Sequence, residues 1–316
     1  MSIDNLILNE IDWKSELKDP PHTGDVKSPE DYTEDAWKYL TDTTENRGGR
    51  LPWKYAEWKF QPGHLNVFVG INGHGKSMML SQMMVWLTRT GQSDRVEKVL
   101  FWSPEMTPAA QVARLVTMIT GTGNPTKEYF EKAVQWMGDR IYIYQRAHRV
   151  GIEELKGISL FAQRRLGVTQ VVVDSLVKIH TGANSRDQLL IQTDLADQLA
   201  ILARDSGLTI NLVAHARKGE RESDRLSKFD LKGSGAIADL ADAIFIVSRN
   251  VRKNEMQKFA KGQPTELDDA PDGYLECVKN RHHHELPFIS LWFNPGANQF
   301  TSKQGKVLRI EEIDNE

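Results

Sequence analysis

From about residue 60 onward, short apolar runs alternate with longer stretches in which apolar residues recur at helical spacing. The runs Leu65–Val69, Val99–Trp102, Ile141–Tyr144, Gln170–Val173, Leu208–Val213 and Ala243–Val247 are dominated by apolar residues, as in strands buried on both faces. Between them the spacing predicts helices over about residues 76–90, 107–120, 126–137, 152–166 and 187–206. Strands separated by helices of this length predict an α/β fold with a mostly parallel central sheet flanked by helices. Beyond Val247, residues 252–272 read as a polar, flexible segment, followed by strands over Tyr274–Lys279 and Phe288–Phe293 that form a C-terminal β-hairpin at the sheet edge. Residues 1–50 read as a polar arm, broken by Pro20, Pro21, Gly48 and Gly49. Its one predicted helix, over about 29–41, starts at the capping sequence Ser28-Pro29-Glu30-Asp31 and carries Tyr32, Trp37 and Leu40 as an apolar stripe. The expected organisation is thus an arm (1–50), one folded domain (51–300) and an acidic C-terminal tail (301–316).

Composition narrows the picture by exclusion. Lysine plus arginine number 40 against 43 acids, a net charge of -3, so a nucleic-acid contact has to come from a local patch rather than a global basic field. The single cysteine, Cys277, excludes an internal disulfide and reads as a small buried residue in a reducing, cytoplasmic compartment. No apolar stretch approaches the roughly 18 residues of a membrane span, and the acids Asp4 and Glu10 do not suit a secretion signal.

The chemistry begins at Gly70-Ile-Asn-Gly-His-Gly-Lys76-Ser77, which fits the G-x-x-x-x-G-K-[ST] phosphate loop and sits between an apolar strand and a helix, the context that motif requires. Gly70, Gly73 and Gly75 permit a tight backbone path that turns N–H groups, including those of Asn72 and His74, toward phosphates; Met78 continues into the helix whose positive end faces them. Lys76 is suited to the β- and γ-phosphates of ATP (or dTTP) and Ser77 to Mg²⁺. Val171-Val-Val-Asp174 is a strand ending in an acid, as expected of a carboxylate delivered to the same Mg²⁺. Glu105, just past the Val99–Trp102 strand, is either a base for the attacking water or a solvated loop residue. His282-His283-His284 does not read as a metal site, because successive strand residues face opposite ways and no further ligand is suitably spaced.

Over about residues 60–295 the chain resembles the ATPase domain of superfamily 4 hexameric replicative DNA helicases, the group that includes DnaB-like helicases, the helicase half of phage primase-helicases and Twinkle. Beyond the two general motifs, the resemblance is carried by Ser103-Pro-Glu105-Met followed by Gln111, Ala113, Arg114 and Leu115, and most specifically by Leu231-Lys-Gly-Ser-Gly-Ala-Ile-Ala-Asp-Leu-Ala-Asp-Ala-Ile-Phe-Ile-Val-Ser-Arg-Asn250. It implies a RecA-like P-loop NTPase core, a 5′-to-3′ DNA-unwinding activity, a hexameric ring with nucleotide sites between subunits, and a phage origin. It also implies roles for residues that are otherwise ambiguous. Glu105 becomes the catalytic base, and His215, alone an ordinary strand-end histidine, becomes a γ-phosphate sensor. Lys279 and Arg281, which alternate with Cys277 and could be a strand's solvent face, become cations reaching a neighbour's nucleotide. Phe293 and Arg249 become the base clamp. The single-stranded DNA contact falls on Arg217, Lys218, Arg221, Arg225, Lys228 and Lys232, interspersed with Glu220, Glu222, Asp224 and Asp230; without the resemblance this is a solvated loop.

The departure from that family lies at the amino end, where about 50 polar residues stand in place of a primase or helical collar, so priming is not expected and a separate primase, polymerase or single-strand-binding protein is the implied partner. Strand-exchange recombinases and KaiC-like signalling ATPases share the core; the 231–250 block is more helicase-like than recombinase-like, and a signalling ATPase would leave the basic residues of 217–232 without a use.

Overall fold

The structure is a computed structural model that describes residues 7–8, 12, 14–15, 28–34, 37, 49–53, 58–89, 96–144, 150–175, 188–216, 235–282 and 286–314. Its centre is a sheet of seven parallel strands: β1 (Ile7–Leu8), β4 (Leu65–Gly70), β5 (Val99–Trp102), β6 (Ile141–Tyr144), β7 (Gln170–Val173), β8 (Thr209–His215) and β9 (Ala243–Arg249). Three antiparallel strands, β10 (Gly273–Asn280), β11 (Phe288–Asn294) and β12 (Gln299–Thr301), extend it beyond β9. The order is β1-β6-β5-β7-β8-β4-β9-β10-β11-β12, and β2 (Gly49–Arg50) and β3 (Lys59–Phe60) form a separate pair.

The side chains explain this layering. Along β5, Val99 and Phe101 pack into one core and Leu100 and Trp102 into the other; β6 divides Ile141 and Ile143 from Tyr142 and Tyr144 in the same way. The first core is covered by α1 (Lys76–Leu87), α2 (Pro108–Thr120) and α3 (Lys127–Met137), and the second by α4 (Ile152–Leu166) and α5 (Gln188–Ser206), with α6 (Gly235–Leu240) beside α5. Central strands sandwiched in this way have no polar face, which is why their sequences lack strict alternation. Helix starts follow local chemistry: the Thr107 and Thr126 hydroxyls accept from the N–H groups of Ala110 and Tyr129 at 3.3 and 3.2 Å.

The α/β core and the antiparallel carboxyl-terminal strands follow the sequence reading, with three differences. Residues 252–272, expected to be flexible, contain helix α7 (Val251–Ala260), capped by Asn250, whose side chain accepts from the Lys253 N–H at 3.1 Å. Its weakly amphipathic sequence hides the helix; Lys253, 3% exposed, anchors it by donating to the Ala270 carbonyl at 2.7 Å and pairing with Asp272 at 2.8 Å. Within the 1–50 arm, Ile7–Leu8 adds a parallel strand beside β6, while of the expected 29–41 helix a 3-10 turn at Pro29–Tyr32 lies among the described residues and much of the remainder outside them. The acidic end packs down: Ile310 and Ile313 are buried, and Glu312 accepts from the Trp136 indole at 3.0 Å.

Candidate active site

Parallel pairing aligns the carboxyl ends of β4, β5, β7 and β8 along one edge. Gly70 of β4 stands opposite His215 of β8, and Trp102 of β5 opposite Val173 of β7. The Asp174 N–H donates to the Trp102 carbonyl at 3.0 Å and the Ala216 N–H to the Gly70 carbonyl at 3.2 Å, so the four chain ends leave the sheet as one group. This is the edge at which open α/β sheets bind ligands.

The loop from Gly70 to Lys76 depends on its glycines at two points. A Cβ on Gly70 would lie 2.4 Å from the Val247 carbonyl, and Gly75 has φ +87°, left-handed geometry that admits α1 directly afterward. Lys76 is 5% exposed and its ammonium donates to the carbonyls of Gly70 at 2.8 Å and Ile71 at 3.0 Å, holding it within the loop. Burial pushes that ammonium below the usual lysine range, and the carboxylates of Asp174 and then Glu105 pull it partly back. Asp174, 6% exposed, has its carboxyl pushed up by burial; the Ser77 hydroxyl hydrogen-bonds it and opposes the rise, Glu105 adds to it, and Lys76 and Arg114 counter it. Ser77, Lys76, Asp174, Glu105 and Arg114 therefore form one electrostatic cluster.

That cluster fits Mg²⁺. A hydroxyl and a carboxylate meet within hydrogen-bonding reach, and the carboxylate is driven toward its neutral form for want of cationic compensation, which a divalent ion would relieve. Two protein oxygens are what Mg²⁺ takes when phosphates supply further ligands. Among the described residues no set of three or more His, Cys, Asp or Glu side chains forms a metal cluster; His282 lies 3.2 Å from Asp242 and stacks on His64, and His283 and His284 fall outside the described residues.

Beside the loop is a cleft of about 360 Å³, lined by Gly73, His74, Gly75 and Met78 on one side and by Arg249, Asn254, Phe293, Pro295 and Phe300 on the other. The two residues expected to clamp a base thus share one cleft with the phosphate loop. Arg249 donates from Nη2 to Asn254 at 2.7 Å, and its backbone N–H donates to Nδ1 of the buried His74 at 3.3 Å, tying the loop to the end of β9. Asn72 and Gly73 are exposed at the loop's tip.

Lys279 and Arg281 lie elsewhere. Asn280 pairs with Ala243, which pairs with Asn66, so both cations sit at the amino edge of the parallel strands. From there to Gly70 is the length of β4, about 17 Å at roughly 3.3 Å per residue. Lys279 donates to the carbonyls of Ala238 and Asp239 at 2.7 and 3.0 Å, at the end of α6, while Arg281 donates to the Asp239 carbonyl and lies 3.4 Å from the Asp242 carboxylate. Asp242 is in turn fixed by the Leu65 N–H at 2.9 Å. The six basic residues Arg217, Lys218, Arg221, Arg225, Lys228 and Lys232 lie outside the described residues, between His215–Ala216 beside Gly70 and the start of α6 at Gly235.

Sequence reasoning placed Arg114 in a motif without a role; it points from α2 into the charge field of Asp174, and its spacing from the Thr107 cap is the available signal. Asp242 and Phe300 had none, since each acts through partners distant in sequence.

With fold and site in view, the chain belongs to the AAA domain family, whose pattern matches residues 38–221 and whose members bind nucleotide. Two solved structures share its fold. The ATPase domain of a phage helicase superposes with a TM-score of 0.69 at 16% identity, covering 88% of this chain and 99% of that one. A DnaB-like replicative helicase, described together with its interactions with primase, gives 0.65 at 16% identity, covering 88% of this chain and 67% of that one. No curated protein matches the sequence. Among the described residues no helix is long and apolar enough to cross a membrane.

Proposed function

We propose that the chain is the motor of a replicative DNA helicase, which hydrolyses ATP (or dTTP) at sites shared between copies of a hexameric ring and moves 5′-to-3′ on single-stranded DNA without priming. The observation that carries this reading is the separation of Lys279 and Arg281 from Lys76 by the length of the sheet. Cations at the amino edge cannot serve this chain's own phosphate loop, whereas in a ring the amino edge of one subunit can face the carboxyl edge of the next.

In this mechanism the loop N–H groups and Lys76 bind the β- and γ-phosphates, while Phe293 and Arg249 hold the base. Ser77 and Asp174 hold Mg²⁺, which supplies positive charge at the phosphates. Glu105 orients the attacking water and accepts its proton; Arg281, arriving from the neighbour with Lys279, meets charge spreading over the γ-phosphoryl oxygens. His215, beside Gly70, reports the state of that phosphate to the 217–232 segment, whose cations grip single-stranded DNA. Grip and hydrolysis are thereby linked through adjacent residues of one strand. The short amino-terminal arm suits docking on the adjacent subunit rather than priming, and the likeness in fold to a DnaB-like helicase described with primase supports a separate primase as partner, alongside polymerase and single-strand-binding protein, in the cytoplasm of a phage-infected host.

Unwinding of a forked duplex tests this directly. ATP-dependent strand separation is expected on a fork with a free 5′ single-stranded tail and not on one with only a 3′ tail; preference for the 3′ tail, or none for either, would reject the directional motor.

A further inference from the structure

One wall of the nucleotide cleft is held in place by residues that touch no part of the cleft themselves. That wall is Phe300 of β12, 7% exposed, whose ring lies 5.0 Å from that of Phe293, tilted by 45°. It is wedged between two glycines: a Cβ on Gly75 would stand 3.0 Å from its Cζ, and one on Gly273 would stand 3.8 Å from its Cε1. The ring therefore spans from the residue before Lys76 to the start of β10, closing the cleft on the side where Phe293 stands.

A three-residue strand at the end of a sheet is a poor support for such a wall. On one side β12 pairs with β11, with Phe293 opposite Phe300. On the other, Gln82 of α1 takes the place of a neighbouring strand. Its Nε2 donates to the Phe300 carbonyl at 2.7 Å, and its Oε1 accepts from the Phe300 N–H at 2.6 Å. The Trp53 indole donates to the same carbonyl at 2.9 Å. Gln82 and Trp53 are 4% and 3% exposed, so water cannot replace these bonds without opening the core.

We propose that Gln82 is a positioning residue for nucleotide binding: its carboxamide, imitating an extra strand, locks Phe300 as the fixed wall on the base side of the cleft, with Trp53 as a second brace. This rests on the reading that the cleft takes the nucleotide's base. A wall already in place is not ordered at the moment of binding, so the affinity for a nucleoside diphosphate carries no ordering cost there. A ligand with phosphates and no base gains nothing from it.

The test compares ADP with inorganic pyrophosphate, titrated calorimetrically onto the full chain. Gln82→Met keeps side-chain length and removes both bonds; it is expected to raise the Kd for ADP about ten-fold and that for pyrophosphate by less than about two-fold, with turnover at saturating ATP near that of the parent. Gln82→Glu, which still accepts from the Phe300 N–H and cannot donate to its carbonyl, falls between. Phe300→Leu reproduces the ADP loss, and adding Gln82→Met to it brings no further loss, because both act through one ring. An equal loss for pyrophosphate would mean that Gln82 braces the phosphate loop alone and overturns the proposal, as would additive losses or an unchanged Kd for ADP. If Gln82→Met does not fold, Gln82→Glu and Trp53→Phe carry the same comparison. Failure of the parent to bind ADP while binding pyrophosphate would sink the base-site reading itself, a separate outcome visible before any variant is made.

Discussion

Replacing Arg281 with alanine asks whether one copy completes another's site. Within its own chain the guanidinium is bound to the Asp239 carbonyl and lies 3.4 Å from Asp242, in a pair whose side chains are 47% and 14% exposed. Removing an ion pair this open to solvent costs about 1 kcal/mol or less, so the melting temperature should move by only a few degrees. ADP binding should persist, since the phosphate loop lies at the other edge of the sheet. Hydrolysis should fall by about 10³-fold or more, roughly 4 kcal/mol of lost transition-state stabilisation, if this cation meets the γ-phosphoryl charge of a neighbour. The decisive assay mixes Arg281→Ala with Lys76→Ala, each inactive alone, and follows phosphate release against the mixing ratio. An interface is intact only when an Arg281→Ala chain supplies the loop and a Lys76→Ala chain supplies the cation. At equal amounts that holds for about one interface in four, so turnover should peak there at about a quarter of the parent's. Mixtures as inactive as either variant alone would refute the shared site, and so would an Arg281→Ala protein that hydrolyses normally.

Other expectations can be checked in parallel. Lys76→Ala should lower hydrolysis by about 10²–10³-fold with the fold retained by circular dichroism, because the ammonium's partners are the carbonyls of its own loop. Asp174→Asn should abolish Mg²⁺-dependent nucleotide binding while altering the pH dependence of stability. Burial raises the folded-state pKa of this carboxyl, so its contribution is fully present below the unfolded carboxylate range and is lost as pH rises through the raised value; the ligand-free parent's melting temperature should therefore carry a fall with rising pH that the asparagine variant lacks. Arg217→Ala with Lys218→Ala should remove stimulation of hydrolysis by single-stranded DNA and flatten the salt dependence of DNA binding by about 0.7 in log–log slope for each phosphate no longer neutralised; full stimulation would move the DNA-binding segment elsewhere.

The features legible in the sequence were those encoded within a few consecutive residues. Gly70 to Ser77 reads as a phosphate loop because close approach and positive φ demand glycine at fixed offsets, and Val171–Val173 reads as a buried strand because both its faces are covered. Features that depend on distant partners were illegible. Helix α7 is polar on its surface and is held by the buried Lys253 reaching Ala270 and Asp272, so its apolar pattern is faint. The acidic end reads as a tail, yet Ile310 and Ile313 bury against the first core while Glu312 meets Trp136, 176 residues earlier in the chain. Gln82 looks like one more polar residue on a helix until the fold brings it to Phe300, 218 residues later. Lys279 and Arg281 show the opposite limit, because their position away from the loop acquires a meaning only if the site is completed by a second copy.

The central claim, a DNA-driven ring motor, is tested most directly by ATP turnover with and without single-stranded DNA, on protein whose native mass is measured in a non-hydrolysable ATP analogue. The account predicts strong stimulation by DNA together with a mass near six subunits; a rate indifferent to DNA, or a DNA-dependent open filament in place of a closed ring, would contradict it.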